Sequence, residues 1–210
     1  MRGEKKEKMK VEDAIKERRS VREFLNKPVS WDHLTQILEA AIYTPMAGNV
    51  FSLKMVVVAD KQTKAGIVQY CLDQYFMKDA AYLIVVCSDL EEVGRLYGEY
   101  SDRYGAQQAG AAMQSMLLQA TELGIASCWI GTMDESPIKA ILGVPGHLRI
   151  EGIIALGHAT KRKWEMPIKY VLNKAVYFET YGKPLGWKER SEFQWQPRET
   201  RFEGEYAKKR

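Results

Sequence analysis

The chain has 210 residues, 46% of them hydrophobic and 28% charged, with a formal net charge of +4. That length and composition suit one sizeable domain, or two very small ones, around a proper core. No run is long and apolar enough to span a bilayer, the charged N-terminus is no secretory signal, and the small basic excess does not argue for nucleic acid. The expected setting is the cytoplasm, with no membrane and no nucleic-acid partner.

Residues 1–10 form a charged arm in which lysines alternate with glutamates. Val11, Ala14 and Ile15 then recur at helical spacing up to Arg19. Pro28 breaks the chain, and Ser30 is a good N-cap for a helix running to about Tyr43. Thr44-Pro45 ends that helix. Leu53 to Ala59 is a continuous apolar run and reads as a buried strand. Gln62 to Tyr75 reads as a helix, and Ala81 to Cys87 as a second buried strand. Glu91 to Tyr104 is helical or irregular. Gly105 to Leu123 is a long helix rich in small residues, with Gly124 as its C′ residue. Ser127 to Gly131 makes a short third strand. Ser136-Pro137 reads as cap and first residue of a further helix to about Leu142, and Arg149 to Gly157 as a fourth strand. From about Lys161 onward the periodicity fades. Connections between strands are long, which leaves parallel pairs open.

Cys71, Cys87 and Cys128 make no C-x-x-C pair and are expected to be buried free thiols. His33, His147 and His158 are isolated, so no metal site is expected. No G-x-G-x-x-G follows a strand and there is no Walker A sequence, so neither a Rossmann site nor a P-loop is supported.

Three segments remain. Arg18-Arg19-Ser20-Val21-Arg22 packs three guanidiniums and a hydroxyl together. Such a group reads as solvated surface charge, or as a site for a phosphorylated ligand, since guanidiniums pair N–H donors with phosphate oxygens. Thr44-Pro45-Met46-Ala47-Gly48-Asn49 reads as a surface turn, or as a loop that hydrogen-bonds a flat heterocycle. Gly124 to Gly131 reads as an ordinary helix, turn and strand, or as a strand end where Gly131 admits a ligand to the backbone.

In this order and spacing, the segments resemble the FMN-dependent nitroreductase-like flavoproteins. The resemblance is carried by Ala14 to Phe24, by Pro45 to Asn49, by Ala111 to Ala120 leading into Gly124 to Gly131, and by Ala155-Leu156-Gly157-His158. It implies an α+β nitroreductase-like fold, a central mixed sheet flanked by helices, in an intertwined homodimer with FMN at the subunit interface. It assigns Arg18 and Ser20, with Arg19 beside them, to the FMN phosphate, and Arg22 to the flavin N1 and O2. Pro45, Met46, Ala47 and Asn49 would lie beside the ring, supplied by the partner subunit. The Ile130 and Gly131 backbone would face N5. The expected domain is 11–182, with 183–210 an extension docking on the partner subunit.

The implied activity is ping-pong hydride transfer from NADH or NADPH to an electron-poor small molecule such as a nitroaromatic or quinone. The flavin does the chemistry, so no protein residue is expected to be catalytic and no metal is needed. Charge-assisted bonds from Arg18, Arg19 and Ser20 to a phosphate stabilise it by about 1.5–3 kcal/mol each. The chain departs from the family at Val50-Phe51-Ser52-Leu53-Lys54, where Gln and Trp are common, and at Gln108, where an acid is common. Of the late basic pair only Lys169 remains, with Lys161-Arg162-Lys163 nearby. A flavin enzyme of the family with another reaction (reductive dehalogenation or flavin breakdown) stays open, as does a non-catalytic flavin- or nucleotide-binding protein.

Overall fold

The computed structural model describes residues 9–161, 167–169, 172 and 175–183. The arm through residue 8, Arg162, Lys163 and the extension from 184 lie outside the described residues. The chain divides into two compact units, Met1–Glu165 and Met166–Arg210. In the second, a turn closes where Phe178 N–H donates to Lys183 O, and the Tyr177 and Tyr181 rings lie 4.6 Å apart.

The first unit is built from α1 (Val11–Glu17), β1 (Phe24–Leu25), α2 (Trp31–Ile42), β2 (Leu53–Val58), α3 (Lys61–Val68), β3 (Tyr82–Asp89), α4 (Leu90–Tyr97), α5 (Ser101–Glu122), β4 (Ala126–Ile130), α6 (Glu135–Leu142) and β5 (Leu148–Ala159). It is α+β, a sheet with helices on both faces. The spine is β5. One of its edges carries β3, from Tyr82 opposite Leu156 to Asp89 opposite Leu148. The other carries β4 and, beyond it, β1, while β2 pairs outside β3. These ladders are all antiparallel. Among the described residues the parallel component is the single bridge between Ser20 and Ser127.

Alternation along the central strands builds two cores, since successive side chains leave a strand on opposite faces. Leu83, Val85 and Cys87 join Cys128, Ile130, Ile153 and the α3 and α6 residues Ile67 and Ile138. Ile84 and Val86 join Ile154 and Leu156 beneath α2 and α5, with Leu34, Ile37, Met113 and Met116. Both faces of β3 are therefore apolar, which is why its sequence reads as an unbroken run.

Several boundaries differ from the sequence expectation. The run at Leu53 is not a buried strand but an edge strand, with Leu53 and Val58 buried and Lys54 and Val57 exposed. The helix expected to reach Tyr75 ends at Val68. There the Tyr70 carbonyl accepts Asp134 N–H at 2.7 Å, and Leu72 and Asp73 both turn left-handed. The last helix starts at Glu135, after Asp134, so Pro137 sits inside the first turn rather than at its first residue. Its missing N–H costs nothing there, because first-turn donors have no intrahelical partner. Two-residue β1 is too short to leave a periodic signal.

The cap at α5 is as expected. Gly124 is left-handed at φ 69, its N–H reaches Thr121 O at 3.0 Å, and Ile125 N–H reaches Ala120 O at 2.8 Å. This closes the helix and feeds β4. A Cβ on Gly124 would touch nothing within 4 Å, so Gly124→Ala tests the backbone alone. We expect a loss of about 1–2 kcal/mol from the left-handed conformation. The urea midpoint should fall at constant m-value; an unchanged midpoint contradicts the cap.

Candidate functional site

The arginine segment leaves α1 as an extended strand-like run held against β4. Arg18 N–H closes the helix on Ala14 O at 3.0 Å. Two residues on, Ser20 bridges Ser127, and Val21 N–H donates to Ser127 O at 2.9 Å. Val21 is buried in the core while Ser20 and Arg22 are exposed, as expected for i and i+2 on one face of an extended chain.

Arg18 and Arg22 both lie within electrostatic reach of Cys128 on β4. Burial pushes the Cys128 thiol pKa up, and the charges of Arg22 and Arg18 pull it back down. Among the described residues neither guanidinium is ion-paired. Arg19 behaves differently. It turns back on α1, donating from Nη1 to Lys16 O at 2.6 Å and to Arg18 O at 2.9 Å. It thereby satisfies a helix-end carbonyl and complements the helix dipole, while its buried Nε stays without a partner.

At the end of β4, Ile130 is buried among Ile138 and Ile153. Only its backbone can face a ligand. Gly131 is exposed, and a Cβ there would approach nothing closer than Trp129 Nε1 at 4.0 Å. The strand end is thus open to a flat group. Arg18, Ser20 and Arg22 lie on the segment bridged to β4 at Ser127, and Gly131 follows the end of that strand; among the described residues the two unpaired cations beside it suit a phosphate-bearing, planar cofactor.

The Pro45 to Asn49 loop lies elsewhere. Thr44 is buried and its Oγ1 donates to Ala41 O. Ala47–Asn49 form a 3-10 turn in which Gly48 and Asn49 are both left-handed at φ 58. Gly48 is required there, because a Cβ would stand 2.7 Å from Tyr97 Oη. The loop feeds β2 at Leu53, opposite Ser88 and so level with Arg149 on β5. Ser127, beside Ser20, is level with Leu156. Seven residues of β5 separate the two levels, about 24 Å. The strand that the loop feeds and the strand beside the arginines are thus anchored at different levels of the sheet.

Lys169 is exposed and belongs to the second unit, described by itself. Sequence reasoning missed the residues that hold these segments: Ser127, which anchors Val21, and Tyr97 and Gln108, which touch the loop. Their signal is tertiary, with Gln108 56 residues from Ser52.

The profile of the Nitroreductase family matches residues 15–75 and 68–158. An NADH dehydrogenase of Thermus thermophilus is 28% identical, covering 76% of this chain and 93% of that protein. An FMN reductase (NAD(P)H) of Bacillus subtilis is 25% identical over 73% of this chain and 68% of its own. The solved structure of an FMN-dependent nitroreductase from Clostridium difficile R20291 superposes with a TM-score of 0.68 at 27% identity. It covers 80% of this chain and 98% of that one.

The convergence on Cys128 can be measured directly. Arg18→Gln with Arg22→Gln removes the charges that favour the thiolate, so the Cys128 pKa should rise further. The readout is thiolate absorbance against pH, with Cys128→Ser as the blank. An unmoved midpoint would show that the two guanidiniums do not meet there.

Proposed function

The chain belongs to the nitroreductase family, and from that premise we propose that it is an FMN-dependent oxidoreductase drawing electrons from NADH or NADPH. The observation that carries this reading is the Arg18 to Arg22 segment, pinned to β4 with two guanidiniums that pair with no carboxylate among the described residues. When bound, FMN supplies an N5 atom that accepts hydride from NADH or NADPH and passes the electrons to a second molecule in a separate half-reaction.

The residues present fit that group. Arg18 and Ser20 would hold the phosphate, with Arg19 beside them in sequence but bonded to Lys16 O and Arg18 O. Arg22 provides positive charge for the end of the ring that becomes negative on reduction, which raises its potential. The Ile130 and Gly131 backbone orients the ring without a side chain in the way. The acceptor is flat and electron-poor, such as a nitroaromatic or quinone, because it takes the nucleotide's place on the same face.

The functional unit is a homodimer. The strand that the Pro45, Met46, Ala47 and Asn49 loop feeds and the strand beside the arginines are anchored about 24 Å apart along β5, which supports a loop beside each ring that comes from the second copy. Lys169 is the remaining basic candidate for the phosphate, and residues 183–210 would dock on the partner. Among the described residues no helix is long and apolar enough to cross a membrane. The three cysteines are free and buried, which suits a reducing cytoplasm.

The full-length protein should purify yellow, and anaerobic NADH or NADPH should bleach it. A colourless protein that takes up no added FMN overturns the reading; a yellow one that neither nucleotide bleaches leaves a binding protein. Arg18→Ala with Ser20→Ala should weaken FMN affinity by roughly 100-fold, two charge-assisted bonds at about 1.5 kcal/mol each. Arg22→Ala should mainly lower the flavin potential. Unchanged affinity in the double variant refutes the phosphate assignment.

A further inference from the structure

We propose that Gln108 is a positioning residue that fixes the Met46 to Asn49 loop through its neutral carboxamide; this rests on the flavin reading above, which places that loop beside the ring. Gln108 is 5% exposed and Ser52 fully buried. Gln108 Oε1 accepts Ser52 Oγ–H at 2.7 Å and Ser52 N–H at 3.3 Å. Its Nε2 donates to Val50 O at 3.1 Å.

These bonds close the loop's polar inventory on the side where the sequence departs from its family. Val50 N–H already goes to Ala47 O at 3.1 Å, and Ser52 O accepts Asp89 N–H at 2.8 Å. With Gln108 in place, Val50 and Ser52 have both backbone groups occupied. The residues after Asn49 therefore have one position, and Tyr97 blocks the loop at Gly48 from the other side.

The chemistry requires an amide. Ser52 presents two donors and Val50 one acceptor, so the residue between them must accept on one side and donate on the other. Glutamine does both. A carboxylate matches Ser52 but sets a negative oxygen against the Val50 carbonyl in a buried site. Gln108 and Ser52 are thus a matched pair: a carboxylate at 108 would leave Val50 O unpaired. Gln108 touches neither cofactor nor substrate and acts through Asn49 and its neighbours.

Two variants of the full-length, FMN-loaded protein test this. Gln108→Met keeps the shape and removes all three bonds. It should retain FMN, because the phosphate residues are untouched. Amide exchange at 47–52 should rise at least about tenfold, and anaerobic bleaching by saturating NADH or NADPH should slow by roughly tenfold.

Gln108→Glu should show the same defects at pH 8 and lose them as pH falls. Burial raises the carboxyl pKa, and the protonated acid again both donates and accepts. The wild type should show no such recovery, and a residue that only adds stability would not link bleaching rate to one titration. Wild-type bleaching and exchange in both variants overturn the proposal, as does a Gln108→Glu defect that ignores pH. Should Gln108→Met not fold, the Gln108→Glu pH series alone decides. A colourless wild type instead overturns the flavin reading, and exchange at 47–52 then still tests whether Gln108 holds the loop.

Discussion

The hydrogen bond from Val21 N–H to Ser127 O, with the bridge at Ser20, is the contact on which the candidate site depends. It fastens a short helix end to the edge strand β4, the one parallel pairing among the described residues. Burial of Val21 in the core supplies the grip, because a Val side chain buried from water gains about 1.5–3 kcal/mol. The alternation of an extended chain then does the rest. With Val21 inward, Ser20 and Arg22 must face outward, and Arg18 follows from the last turn of α1. Three polar groups are aimed by one apolar one.

Arginine is used in two opposite ways in this fold. Arg149 at the other end of β5 is engaged, its Nη1 on Asp102 at 2.7 Å, its Nε and Nη2 on Glu151 at 2.9 and 2.7 Å, with Ser88 Oγ on the same carboxylate. That guanidinium joins α5 to the sheet, with four of its five N–H donors occupied. Among the described residues Arg18 and Arg22 have no such partners. Arg22 is exposed and Arg18 half-buried, so their N–H donors remain accessible to an anionic ligand. The contrast between Arg149 and the Arg18–Arg22 pair is stronger support for a binding role than the number of arginines in the segment.

Much of this was legible in the sequence where a local signal existed. Ser30 caps α2 by accepting His33 N–H at 3.2 Å, Gly124 ends α5, and the apolar run at β3 is the double-faced central strand. Legibility failed where tertiary geometry decides. The run at Leu53 has the composition of a buried strand, yet its place at the sheet edge leaves Val57 exposed; hydrophobicity records residue type, not strand order. Arg19 looked equivalent to its neighbours, but the direction of one side chain ties it to Lys16 O. Gln108 carried no visible meaning, because its partners Val50 and Ser52 lie more than fifty residues away.

The element that relates the two ends of the site is α5. Its 22 residues span about 33 Å, longer than the seven-residue stretch of β5 beneath. Near its start Gly105 lies against Ser88, where a Cβ would stand 3.2 Å from the serine Cβ, and one turn on Gln108 holds the loop. At its end the Gly124 cap turns the chain directly into β4, the strand that carries the arginine segment. The small residues at Gly105, Ala109 and Ala112 let this helix lie close on the sheet. Loop and arginines are therefore fixed at opposite ends of one rigid rod. Such a rod cannot bend to bring them onto a single small ligand, and this rigidity is what turns the separation within one chain into an argument for a second copy.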